Sequence, residues 1–241
     1  GINGNELWKT DGTEAGTVLV KDIVPGPGSG YPAMFTASGG AVYFRASTPG
    51  EGRELWKTDG TEGGTVLLKD IRTGPDDSQP DCLTDVNGVL FFRAYTDACG
   101  YELWKSDGTP EGTVLVRDIH GSGSSSPEAL AAVGDVLYFT AEEPVNGREL
   151  WKSDGTEGGT VLVAAVGPGA AGADYDELTA FDGQLFFTVD DGISGAELWR
   201  SDGTSLGTQL LANIAPGAFS SAPNSLTVAG DGLYFTADDA S

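Results

Sequence analysis

Short apolar runs, each bounded by glycine, proline or aspartate, follow one another along the whole chain and predict strands. The segment 178–212 contains four of them: 178–181, 184–189, 197–201 and 207–212. Asp-Gly pairs at 182–183 and 202–203 lie within this segment, and Asp-Gly favours the positive φ angles of tight hairpin turns. No window of ten or more residues has apolar positions at helical spacing. The pattern predicts an all-β protein whose antiparallel strands come in groups of four, named A to D in chain order.

The four-strand pattern recurs five times, with spacings of 47 or 48 residues between equivalent positions. Each copy contains Glu-Leu-Trp-(Lys/Arg)-(Ser/Thr)-Asp-Gly-Thr, and all five tryptophans of the chain lie in this segment: Trp8, Trp56, Trp104, Trp151 and Trp199. Four short strands per period are typical of a β-propeller blade. We therefore expect residues 1–241 to form a single five-bladed β-propeller domain of four-stranded antiparallel blades.

The chain ends predict how this ring closes. Residues 235–241 followed by residues 1–8 resemble residues 187–199, so the five whole repeats are cut between strands B and C. The fifth blade then takes strands A and B from the C-terminal end and strands C and D from the N-terminal end. Pairing of this kind leaves only the outer D strands as sheet edges.

The recurring segment resembles the ELWxxDGT repeat family of bacterial secreted and surface proteins. The resemblance covers essentially the full chain, because the motif is present in every repeat. It implies an extracellular or cell-surface protein and no particular chemistry.

The charge of the chain limits its partners. Against 13 Lys and Arg there are 36 Asp and Glu, which gives a net charge of −23. Nucleic acids and anionic membrane surfaces are bound through cationic side chains, so this balance argues against both. No apolar stretch has the length that a bilayer span requires, which predicts no membrane insertion. We expect a monomer whose partners are neutral glycans or protein surfaces.

Catalytic motifs are absent from the sequence. His120 is the one histidine, no serine lies in a nucleophile-elbow context, and neither HExxH nor CxxC occurs. Acidic residues recur in every repeat, whereas one active site would make one repeat differ from the rest. The sequence therefore predicts a non-catalytic binding or adhesion module. Two alternatives stay open: a structural spacer excised from a longer secreted protein, and a polysaccharide hydrolase or lyase with an acidic pocket.

The B–C and D–A loops are predicted to lie on one face, because four antiparallel strands alternate in direction. Loops on a rigid frame commonly carry binding residues. The candidate ligand-binding residues open strand C or lie in the B–C loops: Glu54, Glu102, Glu149, Glu197, Asp97, Asn146 and Asp191. The glutamates have a second interpretation, in which they hold the preceding loop through its backbone N–H groups.

The aspartates of the C–D turn are the candidate metal ligands: Asp11, Asp59, Asp107, Asp154 and Asp202. Carboxylates on tight loops suit calcium, which is the cofactor that this interpretation implies. The competing interpretation is an Asx-type turn in which each aspartate accepts backbone N–H bonds. The repeat tryptophans have two readings as well, as sugar-stacking platforms or as the core between blades.

Two cysteines complete the list of candidate sites. Cys82 begins strand A and Cys99 lies in the B–C loop of the same repeat, so both are expected on the loop face. A local disulfide is predicted, which would require an oxidising compartment. Free thiols are the alternative.

Overall fold

A computed structural model describes residues 3–167, 169 and 172–239, and all regular secondary structure in this part of the chain is β. The first sheet contains β1 (Leu7–Lys9) and β2 (Val18–Lys21). The second contains β3 (Ala33–Ser38), β4 (Ala41–Thr48), β5 (Gly52–Thr58) and β6 (Val66–Lys69). The third contains β7 (Asp81–Val86), β8 (Val89–Thr96), β9 (Gly100–Ser106) and β10 (Val114–Arg117). The prediction of an all-β protein is confirmed.

The remaining strands continue the same order. One sheet contains β11 (Glu128–Val133), β12 (Val136–Glu143), β13 (Gly147–Ser153) and β14 (Val161–Ala164). The next contains β15 (Tyr175–Phe181), β16 (Gln184–Asp190), β17 (Ala196–Ser201) and β18 (Gln209–Ala212), and the last β19 (Asn224–Ala229) and β20 (Gly232–Thr236). The predicted antiparallel four-stranded sheets are therefore present, with strands A to D in sequential order.

The chain forms two compact units, Gly1–Leu115 and Val116–Ser241. In the first unit, Leu55, Tyr43 and Leu68 of one sheet pack against Phe92 and Trp104 of the next. In the second unit, the corresponding core joins residues of β12–β14 to residues of β15–β17. Each core thus lies between consecutive sheets, which explains why strand B carries a continuous apolar run rather than an alternating one.

Within each unit, the Cα atoms of consecutive sheets come within 8 Å of each other mainly along strand A: β3 with β7, β11 with β15, and β15 with β19. Toward the C–D turns, long side chains span the gap instead. Lys9 donates to the carbonyl of Gly60 at 2.8 Å, and Lys152 donates to that of Gly203 at 2.8 Å. Consecutive sheets therefore approach most closely at their first strands.

The predicted fifth four-stranded sheet is not formed, since β1–β2 and β19–β20 are separate two-stranded sheets. Each hairpin is held by its own turn, whereas the strands that would join them lie at opposite ends of the sequence and share no turn. Trp8 is 56% exposed, compared with 7% for the equivalent Trp56. The described residues therefore form four complete four-stranded sheets and two two-stranded ones.

No helix in the part of the chain that the structure describes is long and apolar enough to cross a membrane.

Candidate functional site

The glutamates that open strand C are buried, so the loop-face surface does not include them. Glu54, Glu102, Glu149 and Glu197 have no exposed area. The Glu54 carboxylate accepts the backbone N–H groups of Ile71 at 3.0 Å and Ser78 at 2.9 Å, and the Ser78 hydroxyl at 2.5 Å. A ligand would have to displace these bonds to reach Glu54.

A similar arrangement is present at two further sheets. Glu197 accepts the backbone N–H groups of Ile214 at 2.9 Å and Ser221 at 3.2 Å. Glu149 accepts the N–H of Val166 at 2.8 Å and the Tyr175 hydroxyl at 2.6 Å. Ile214, Ser221 and Val166 belong to the connector from strand D to the next strand A, and Tyr175 begins that strand A. The glutamates therefore bind a loop through its backbone N–H groups, as the second interpretation in the sequence analysis states. That interpretation named the loop before strand C, whereas the bound loop follows strand D.

Burial of these carboxyl groups disfavours their charged form. It raises the pKa of Glu54 from 4.5 to about 7, against the hydrogen bonds from Ser78, Ile71 and Arg72, which act in the opposite direction. Burial also raises the pKa of Glu149. We therefore expect the stability of the connector to depend on pH near neutrality.

The three predicted loop residues stabilise their own loops. The Asp191 carboxylate accepts the backbone N–H groups of Ile193 at 2.9 Å and Ser194 at 2.6 Å. Asn146 donates its side-chain amide to Glu143 at 2.5 Å. Asp97 forms a salt bridge of 2.8 Å with Arg72, and its side chain is largely exposed. Of the three, Asp97 takes part in a larger surface cluster.

That cluster combines Tyr95, Tyr101 and Arg93 of the β8–β9 hairpin with Arg72 of the connector between β6 and β7. Tyr95 and Tyr101 are paired across the strands, with ring centroids 5.1 Å apart in an edge-to-face arrangement. The Arg72 guanidinium lies 5.0 Å from the Tyr95 ring centroid, and the Arg93 guanidinium lies 5.4 Å from that of Tyr101. Both tyrosines are partly exposed. Aromatic faces, a cation and a carboxylate (Asp97) thus converge at one position.

Sequence reasoning named Asp97 of this cluster but missed its tyrosines, because they do not recur in the other repeats. At the two tyrosine positions the preceding sheet has Ser47 and Arg53, and the β12–β13 hairpin has Glu142 and Arg148. The signal was therefore a departure from the repeat, visible only when the B–C hairpins are aligned position by position.

The turn aspartates occupy the Asx-type turn. Asp59 Oδ1 accepts the Thr61 backbone N–H at 2.8 Å and the Thr61 hydroxyl at 2.7 Å. Equivalent pairs are present at Asp11, Asp107, Asp154 and Asp202. Hydrogen bonds from Thr61 lower the pKa of Asp59. The bond from the hydroxyl has the largest effect, and the bond from the backbone N–H has the next largest.

The turn also restricts the position five residues after the aspartate to glycine. A Cβ on Gly64 would lie 2.0 Å from Asp59 Oδ1. Among residues 3–167, 169 and 172–239, no three His, Cys, Asp or Glu side chains are grouped so that they could hold a metal ion. The described geometry of the aspartates is accounted for by the turn.

The tryptophans of the complete sheets belong to the core between sheets rather than to the surface. Trp56, Trp104 and Trp151 are buried, and Trp199 packs against the core of its unit. Their rings are therefore not available as sugar-stacking platforms in this structure.

Cys82 and Cys99 are not joined by a disulfide in this structure. The strand register explains why. Asp81 pairs with Arg93, whereas Cys99 lies beyond the Thr96–Gly100 pair at the end of the same hairpin. At about 3.3 Å per residue, Cys82 and Cys99 are separated by more than about 10 Å along the strands, beyond the reach of a disulfide.

We expect two thiols per chain when the protein, purified without reductant, is unfolded in guanidinium chloride and titrated with a chromogenic thiol reagent. The physical reason is the register separation of Cys82 and Cys99. The reduced protein serves as the control for full reactivity. A titre near zero before reduction and two after it would contradict the register.

Comparisons with known proteins give little further information. No family model matches the chain, and no curated protein matches it. Among solved structures, a mutant of puromycin hydrolase complexed with PGG matches with a TM-score of 0.32 and 14% identity. The match covers 76% of this chain and 39% of the hydrolase chain, so this chain corresponds to less than half of that protein. A likeness this distant carries no argument about the function.

Proposed function

We propose that the protein is a non-catalytic, extracellular binding module that recognises neutral glycans through loops on one face of a five-bladed β-propeller. The tyrosine–arginine cluster of the β8–β9 hairpin carries the proposal, because it is a partly exposed aromatic site that the other B–C hairpins do not share. The resemblance to ELWxxDGT repeats supports the extracellular location.

The propeller part of the proposal is supported by the spacing of the sheets. In each unit, consecutive sheets approach at strand A and are bridged by long side chains near the C–D turns. Sheets stacked in a straight array would instead approach equally along all four strands. Convergence on strand A is the arrangement of blades around an axis, with strand A innermost.

Rigid connectors support the binding part. Buried Glu54 fixes the backbone of the connector that contains Arg72, because its carboxylate accepts the N–H groups of Ile71 and Ser78. Arg72 in turn lies over Tyr95 and binds Asp97. The cluster is thus held in place before a ligand arrives, which reduces the entropy lost on binding.

The chemistry of the cluster favours a neutral sugar. The faces of Tyr95 and Tyr101 offer apolar area for the C–H side of a pyranose ring, while Arg72 and Asp97 offer a donor and an acceptor for hydroxyl groups. A net charge of −23 repels uronates, sulfated glycans and nucleic acids. Neutral polysaccharides are therefore the proposed ligands, with protein surfaces as the other class that such a site can bind.

A glycan array, probed with and without calcium, tests the proposal. We expect binding to neutral glycans and, by calorimetry, an affinity loss of about tenfold or more for the double variant Tyr95→Ser, Tyr101→Arg, since each aromatic contact is worth about 0.5–1.5 kcal/mol beyond its buried area. These replacements are the residues that the β4–β5 hairpin carries at the same positions, so the fold accommodates them. Val145→Ala, on the exposed B–C loop of another sheet, is the control and should bind normally.

Three outcomes would overturn the proposal or part of it. No glycan hit in either condition would contradict glycan recognition and favour the spacer function, which is consistent with B–C loops that satisfy their own hydrogen bonds. Hits that the double variant retains would move the site elsewhere. Release of reducing ends or unsaturated products from a bound polysaccharide would contradict a non-catalytic role.

A further inference from the structure

Two large apolar side chains are exposed on adjoining loops of the second unit, Val116–Ser241. Ile193, in the B–C loop between β16 and β17, is 77% exposed, and Phe219, in the connector after β18, is 69% exposed. The backbones of the two loops are in contact, since a Cβ on Gly195 would lie 2.6 Å from the carbonyl oxygen of Phe219. Ile193 and Phe219 are together called the Ile193–Phe219 surface.

Hydrogen bonds hold both loops in one conformation. The Asp191 carboxylate accepts the N–H of Ile193 at 2.9 Å. Two residues after Phe219, Ser221 donates its N–H at 3.2 Å and its hydroxyl at 2.5 Å to the buried carboxylate of Glu197. The two apolar side chains are thus carried by a fixed backbone, which reduces the entropy that a partner loses on binding.

The sheet does not require a large apolar residue at either position, as the equivalent residues of another sheet show. The carbonyl of Asp76 lies against Gly52, 2.5 Å from the position of its Cβ, as that of Phe219 lies against its own B–C loop. Ile193 has the position of Ala98, three residues after the last paired residue of strand B. An aspartate and an alanine therefore suffice for the same backbone, and the apolar area of this repeat is additional.

Acidic residues surround this apolar area. The second unit has 4 Lys and Arg against 19 Asp and Glu, a net charge of −15, and between residues 154 and 241 the one cationic side chain is Arg200. Asp190 and Asp191 belong to the same B–C loop as Ile193. The N–H of Asp238 donates to the carbonyl of Ser221 at 2.8 Å, which places a further acidic residue beside the connector. Such a field attracts cationic partners and repels anionic ones.

We propose that the Ile193–Phe219 surface binds a cationic protein segment in which an apolar side chain is flanked by Lys or Arg. The apolar side chain covers Ile193 and Phe219, and the flanking cations meet the acidic residues around them. A second copy of this chain is the competing occupant, but its net charge of −23 opposes that association. Glycan recognition by the tyrosine–arginine cluster, in the other compact unit, is not required for this interaction.

Calorimetry with the full chain tests the surface. The probes are short synthetic peptides in which Leu, Phe or Trp is flanked by Lys on both sides. We expect them to bind, and the double variant Ile193→Ala, Phe219→Ser should lower their affinity at least about tenfold, because it removes most of the apolar area that the peptide buries. The variant leaves the charge unchanged, so the weakening of binding by added salt should persist.

Leu206→Ser is the matched control. Leu206 is 96% exposed on the C–D turn of the same sheet, so this variant also removes an exposed apolar side chain, but outside the Ile193–Phe219 surface. It should bind the peptides like the wild type. Amide chemical shifts of the wild-type protein should change on peptide addition at residues 190–196 and 217–221.

No binding by any peptide of the panel, or equal affinities for the wild type and the double variant, would overturn the proposal. Equally tight binding of peptides with Glu in place of every Lys would do the same. Dimers in sedimentation velocity that the double variant abolishes would assign the surface to a second copy. The double variant should keep the glycan binding of the wild type, since it leaves Tyr95 and Tyr101 in place. Loss of both activities together would contradict a separate surface, whereas peptide binding without any glycan binding would remove only the proposed glycan function.

Discussion

Replacing Glu54 with alanine is expected to destabilise the protein by about 3–5 kcal/mol, because buried donors that lose their acceptor cost about 1–3 kcal/mol each. The carboxylate accepts the N–H groups of Ile71 and Ser78, and the Ser78 hydroxyl as well. Water cannot replace it without opening the connector. Guanidinium chloride unfolding, followed by far-UV circular dichroism, measures the change.

Glu62→Ala is the matched control for this variant. Glu62 lies on the exposed C–D turn of the same sheet, so its replacement removes the same side chain without uncovering buried donors. We expect its effect to stay within about 0.5 kcal/mol. Equal losses for the two variants would show that charge, and not the connector bonds, determines the stability.

The raised pKa of Glu54 also predicts a pH dependence. The folded protein holds the proton up to about pH 7, whereas the unfolded chain releases it near pH 4.5. The native state thus binds more protons between these values, and the contribution of Glu54 to stability declines as the pH increases through this window. The turn aspartates with lowered pKa values stay ionised throughout. Glu54→Gln should reduce the loss of stability between pH 5 and pH 7.5.

Placing alanine at Gly64 is the second substitution with a large expected effect. Its Cβ would lie 2.0 Å from Asp59 Oδ1, so the aspartate must leave the Thr61 N–H and hydroxyl that it accepts. We expect a loss of about 2–3 kcal/mol and a decrease in melting temperature of roughly 5–10 °C. Differential scanning calorimetry gives the value.

The neighbouring glycine supplies the control, since a Cβ on Gly63 would have no atom within 4 Å. Gly63→Ala should change the stability by no more than about 0.5 kcal/mol. If both variants melt like the wild type, the aspartate does not pack against Gly64 as described. A melting temperature that calcium restores in Gly64→Ala would instead support a cation at the turn.

Some of the site could be read from the sequence because it depends on local patterns. The Asp-Gly-Thr turn needs only neighbouring residues, so Asp59 and its equivalents could be placed in an Asx-type turn before any coordinates. The glutamates were harder, since Glu54 and its partner Ser78 are 24 residues apart and meet only when the connector folds back across strand C. The separation of Cys82 and Cys99 was hidden for a related reason: the two residues are close in the repeat but far apart in register.

The sequence alone determined that the protein is all-β and that strands come in fours with a period near 48 residues, because apolar run length and Asp-Gly turns act within a few residues. Only the tertiary structure decided which residues point into the core, where the Tyr95–Tyr101 cluster lies and that β1–β2 and β19–β20 are separate. Core burial depends on packing between sheets, and the cluster depends on a connector that brings Arg72 over Tyr95. A repeating pattern specifies each sheet well. The hairpins at the two ends of the chain have only one neighbouring repeat in sequence, so the repeat does not specify their other contacts.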